Sequence, residues 1–286
     1  MPNVHDQEII ARKLLPLIYI FDTSGSMKGA KITAANSAMR ETMEVLKDVS
    51  KNNPSAELKI GVLQFASGAQ WITEKDLVFM EDFYWNDLTA GGLTDLGSAL
   101  RELDRKMSRS EFFKSEVGFK VPVLIFMSDG APTDDYLTTL NKVNASNKWF
   151  KNATKIAIAV GADARVDVLA RITGNIESVI RVDDLEALKK LIKVVSVTAS
   201  MVGSKSRTDT NTAEEIINDV KDKMDDDLVD TSDTGKGGAG SDSGNKDKNK
   251  GAGTGEGKDT DKEKGGGSNG KSAGAGDDPW GNIKWD

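Results

Sequence analysis

Three short stretches of this sequence put oxygen-bearing side chains where chemistry could be done. In the first, Asp22 is followed by Thr23, Ser24, Gly25 and Ser26, so that a carboxylate and two hydroxyls fall at alternate positions. In the second, TAGGLTDLG, Thr94 stands directly before Asp95. The third is MSDGAPTDD, in which Asp129 precedes Gly130. Brought together, Asp22, Ser24, Ser26, Thr94 and Asp129 offer two carboxylates and three hydroxyls, all hard oxygen donors. Mg²⁺ takes about six oxygens in a near-octahedral shell and keeps some of them as waters, and Mn²⁺ and Ca²⁺ accept the same ligand types. So few protein carboxylates neither saturate the charge of such an ion nor fill its shell, which leaves a position for an outside carboxylate or phosphate. One at a time these residues have an ordinary use, because Asp and Ser beyond a strand end serve turns and helix caps. Thr133 and Asp134 are read in that way, as a cap, and stay outside the set.

The rest of the composition removes competing chemistries. There is no Cys, and His5 is the one histidine of the 286 residues, so thiolate or imidazole zinc sites and Ser-His-Asp or Cys-His catalysis within a core are excluded. A phosphatase of the haloacid dehalogenase type also begins with a strand-end Asp and needs Mg²⁺, but it carries a second acid two residues later. Here that position is Ser24, which cannot act as a general acid. The expectation is a binding module and not an enzyme. An Mg²⁺-dependent hydrolase, and a metal-independent scaffold acting through its tail, are the alternatives. The formal net charge of -7 argues against a nucleic-acid partner. No apolar run reaches the ~18–20 residues of a membrane span, and the N-terminal MPNVHDQEIIARKLLPLIYIF lacks the order of a signal peptide, so a cytoplasmic protein is expected.

The elements that must position the three stretches follow from periodicity. LPLIYIF (15–21), LKIGVLQF (58–65), VPVLIFM (121–127), KIAIAVG (155–161) and SVIRV (178–182) are short apolar runs that predict strands, with a weaker one at QWITEKDLVF (70–79). Between them, three- and four-residue apolar steps predict helices over 31–49, 95–107, 134–150, 166–173 and 185–200. Strands alternating with helices imply an α/β fold: a doubly wound, mostly parallel sheet flanked by helices, Rossmann-like in layout. Ligands of such sheets bind beyond the carboxyl ends of the strands, where Asp22 and Asp129 fall.

These residues resemble the metal-ion-dependent adhesion site of the von Willebrand factor A family, whose pattern is Asp-x-Ser-x-Ser followed by a distant Thr and a distant Asp. Asp22, Ser24, Ser26, Thr94 and Asp129 match all five positions, and the resemblance runs from about residue 14 to 200. It implies a domain that holds a divalent metal and binds an acidic group of a protein partner. Within the family, LPLIYIFDTSGSM, GGLTDLGSAL, SDGAPTDD, AIAVGADA and IKVVSVTAS are similar to bacterial cytoplasmic members associated with tellurite resistance, called TerY-like. That likeness implies a stress-response phosphorylation system, with a kinase or phosphatase as the partner.

Around the 14–200 domain lie an N-terminal extension (1–13) and a linker (201–228). The linker carries an acidic helix with Ile216, Val220, Met224 and Leu228 spaced four apart, either packed on the domain or free to dock elsewhere. Residues 229–278 are Gly, Ser, Thr, Asp and Lys with almost nothing apolar, a composition that predicts a disordered tail. Trp280 and Trp285 in the last stretch, 279–286, read as a short binding motif or as a tail folded back on its own domain.

Overall fold

A computed structural model describes residues 12–73, 75–205 and 212–229, so the expectations for residues 1–11 and for the stretch holding Trp280 and Trp285 lie outside the described residues. The order of elements is β1 (Lys13–Asp22), α1 (Ala30–Lys51), β2 (Ala56–Ala66), β3 (Gly68–Trp71), β4 (Val78–Phe79), α2 (Leu96–Lys106), β5 (Val123–Ser128), α3 (Tyr136–Ser146), α4 (Lys148–Asn152), β6 (Thr154–Val160), α5 (Val166–Thr173), β7 (Val179–Val182), α6 (Leu185–Ser204) and α7 (Thr212–Val229). The sheet runs β3-β2-β1-β5-β6-β7, with β4 also on β2, and every pairing is parallel except those of β3 and β4. This is the expected α/β architecture.

β1 lies between β2 and β5 in the middle of the sheet and is buried on both faces, which is why it reads as an unbroken apolar run. Its side chains alternate. Leu15, Leu17, Tyr19 and Phe21 enter the core under α1, α6 and α7, while Ile18 and Ile20 enter the core under α2 to α5. Leu17 to Phe21 stand level with Val123 to Met127 of β5, so β1 and β5 finish side by side and deliver Asp22 and Asp129 to the same edge.

Two elements differ from the periodicity. The run at 70–79 is two short antiparallel strands, β3 and β4, on the outer edge of β2. The helix expected over 134–150 is broken at Asn147, whose side chain caps α4 by accepting from Phe150 N (3.0 Å) and donates to the Asp104 and Met107 carbonyls. α7 packs on the domain, with Ile216, Ile217 and Val220 buried among α6 and its neighbours and Lys223 donating to Thr198 Oγ1 (3.0 Å). Among the described residues no helix is long and apolar enough to cross a membrane.

Candidate metal centre

The loop after β1 turns away from the sheet at Asp22, which is fully buried. Its Oδ1 accepts from Ser24 N (2.8 Å), folding the loop back on its own carboxylate, and its Oδ2 accepts from Ser128 Oγ (2.5 Å) at the end of β5. Ser24 and Ser26 hydroxyls lie 3.1 Å apart, and Ser26 Oγ donates to Asp129 Oδ1 at 2.6 Å. Ser24, Ser26 and Asp129 are thus joined side chain to side chain, and Asp22 is tied to them through the Ser24 amide.

The fifth, Thr94, arrives on a loop stapled to both others. Gly25 N donates to Gly92 O (3.0 Å) and Gly91 N to Thr23 O (2.7 Å), while Thr133 N donates to Thr94 O (2.9 Å). Gly92 has φ +87°, and a Cβ there would lie 2.7 Å from Ser67 Oγ, so only glycine lets this loop close. Thr133 and Asp134 do cap a helix, but it is α2 and not the helix that follows them: Asp134 Oδ1 accepts from Gly97 N (3.0 Å), and Thr133 Oγ1 links Thr94 N to Asp95 Oδ1. α3 is capped by Asp135.

The three loops converge on a point that Gly130 leaves free. A Cβ on that glycine would lie 3.4 Å from Ser26 Oγ, 3.4 Å from Thr94 Oγ1 and 3.5 Å from Asp22 Oδ2. Asp22, Ser24, Thr94 and Asp129 are buried and Ser26 is exposed, so the cluster opens to the surface at one side. Among the described residues no group of three or more acids and histidines could hold a metal, so any ion here depends on the hydroxyls.

The von Willebrand factor type A domain family model matches residues 17–194, well over half of the chain. The chain belongs to this family. Solved structures similar to it include proximal thread matrix protein 1 from the mussel byssus, at 19% identity and a TM-score of 0.49 over 66% of this chain and 49% of that one. A von Willebrand factor type A protein from Catenulispora acidiphila follows at 18% and 0.48, over 67% and 43%, and the pilus adhesin SpaC from Lactobacillus rhamnosus GG at 12% and 0.50, over 65% and 30%. The chain spans about half, or less, of the length of these structures. The mussel protein has also been solved with zinc in its MIDAS motif. No curated protein matches the chain.

The electrostatics of this von Willebrand factor A domain fit a bound cation. Burial pushes the Asp22 carboxyl above its ordinary range; hydrogen bonds from Ser128 and Ser24 oppose the shift, and the neighbouring charge of Asp129 adds to it. Two carboxylates held close in a buried cluster favour a positive charge between them. One is already near: the Lys31 ammonium, from the first turn of α1, pairs with Asp129 Oδ2. Ser128, Lys31 and Gly130 are the participants that the sequence reading missed. Ser128 carried a usable signal, since it is the hydroxyl directly before the strand-end Asp.

Proposed function

We propose that this domain is a metal-dependent protein-interaction module. Asp22, Ser24, Ser26, Thr94 and Asp129 hold a divalent cation, Mg²⁺ or one of its hard relatives Mn²⁺ and Ca²⁺, directly or through water. When bound, that cation supplies a Lewis-acidic position for a carboxylate of a partner protein. The observation that carries the reading is the convergence of Asp22 Oδ2, Ser26 Oγ and Thr94 Oγ1 on the cradle beside Gly130.

The chain's own groups divide the work. Ser128 and the Ser24 amide orient Asp22, and Ser26 orients Asp129, so the carboxylates are set before any ligand arrives. The staples among the loops at 22–26, 91–95 and 129–134 fix the spacing of the donors. The position two residues after Asp22, where a phosphatase of the haloacid dehalogenase type carries its general acid, is the hydroxyl of Ser24, which supports binding over hydrolysis. The likeness of several segments to bacterial tellurite-resistance proteins extends the reading to a stress-response system, with a kinase or phosphatase of that system offering the acidic group.

The test is thermal. Mg²⁺ or Mn²⁺ at about a hundred times Kd stabilises the folded state by ~2.7 kcal/mol. The melting temperature of the chain therefore rises with added metal, and Asp129→Asn and Thr94→Ala remove the rise. A chain whose melting is indifferent to all three cations is not a metal-dependent module.

A further inference from the structure

We propose that Lys31 is a built-in rival of the metal, and that it makes occupancy of the site depend on the partner's acidic group. The inference rests on the metal reading above and goes on to say how that site is regulated.

Both oxygens of Asp129 are taken. Oδ1 accepts from Ser26 Oγ and Oδ2 from the Lys31 ammonium, while the Asp129 side chain itself is 1% exposed and that of Lys31 is 30% exposed. The glycine directly after β6 leaves Lys31 room over this carboxylate. A Cβ on Gly161 would stand 3.3 Å from both Cε and Nζ of Lys31, so any larger residue would crowd the lysine away from its seat. The seat itself is fixed, because Gly161 N donates to Val182 O at 2.7 Å. A second ammonium, that of Lys28, borders the opposite loop, 3.8 Å from where a Cβ on Gly91 would be.

The charges then decide the behaviour. Asp22 and Asp129 bring two negative charges and Lys31 returns one positive charge. A divalent ion in this cluster shares Asp129 with an ammonium and is left with net positive charge that the chain does not cancel. Like-charge repulsion weakens the binding of metal on its own. An incoming carboxylate is attracted by both cations and offsets their repulsion, so metal and acidic partner strengthen one another. By linkage the effect is mutual: whatever the partner adds to metal affinity, the metal adds to partner affinity. Without Lys31 the site would carry one positive charge fewer, metal on its own would bind more tightly, and this coupling would shrink.

The experiment is calorimetric titration of the full chain with Mn²⁺, with and without acetate at constant ionic strength. Lys31→Met keeps most of the stem and drops the charge, and it binds Mn²⁺ alone about tenfold more tightly than wild type, equivalent to ~1.4 kcal/mol. Lys31→Arg keeps the charge and stays near wild type. Acetate tightens Mn²⁺ binding clearly in wild type and Lys31→Arg and much less in Lys31→Met. Lys31→Gln repeats the comparison if the methionine variant melts early. Mn²⁺ binding by wild type that is unchanged or weakened in Lys31→Met and Lys31→Gln overturns the rivalry and leaves the metal centre standing. Absence of Mn²⁺ binding in every protein overturns both.

Discussion

The two ends of the sheet bury polar side chains in opposite ways. At the amino end, Asn53 spends its side chain on holding the chain itself: Oδ1 accepts from Ser55 N and Ala56 N, Nδ2 donates to Ser204 Oγ (2.6 Å), and its carbonyl accepts from Arg12. At the carboxyl end, Asp22, Ser24, Ser26 and Asp129 bond mainly to other side chains, and Thr94 Oγ1 makes no hydrogen bond among the described residues. A side-chain acceptor filled by two backbone amides holds a turn. A cluster satisfied by itself, with lone pairs left facing a cradle, is arranged for something that arrives later.

Substitutions at the two ends should therefore part stability from metal response. The largest loss of stability is expected at the amino end. Asn53→Ala leaves two turn amides without their acceptor and costs about 2–4 kcal/mol in urea unfolding. The metal-induced rise in melting temperature should survive it, and a loss of that rise would show that the two ends are not separable.

Lys155, also at the amino end, comes next. Its ammonium is buried over the Phe150 ring with the Lys151 and Ala153 carbonyls in reach, and burial pushes it down to about 8. The unfolded chain keeps that proton to ~10.4. Between these values the unfolded state binds more protons, so stability rises with pH across that window, by an amount on the order of 3 kcal/mol at most. Lys155→Met should flatten the rise and, at pH 7, unfold at higher denaturant than wild type, with a gain of at least ~1 kcal/mol. A rise that persists in the variant assigns it to other groups.

The smallest change in stability is expected from Gly130→Ala, within ~0.5 kcal/mol, because φ there is not positive and the methyl meets neighbours at ordinary contact distance. That methyl fills the cradle, and the melting response to Mg²⁺ should vanish. A variant that responds to metal like wild type would move the ion away from this point.

Much of this was legible in the sequence, for physical reasons. A parallel strand buried on both faces must be continuously apolar, so β1 and β5 announce themselves, and the acids ending them fall at the ligand edge by topology alone. Asp-x-Ser-x-Ser at such an end is a local pattern and can be read locally. The break at Asn147 was hidden because its cap depends on the carbonyls of Asp104 and Met107, some forty residues earlier in the chain. The use of Asp134 on α2 was hidden in the same way. Lys31 has no signature of its own: on an amphipathic helix a lysine facing Asp129 reads like a lysine facing water.

The packing of α7 has a practical side. The family match stops at residue 194, within α6, yet Ile216, Ile217 and Val220 close the core beyond it. A fragment trimmed to the matched region would lose the end of α6 together with this cover, leaving oily surface bare, and would clump in solution. Anyone preparing the domain by itself should keep the chain through Met224.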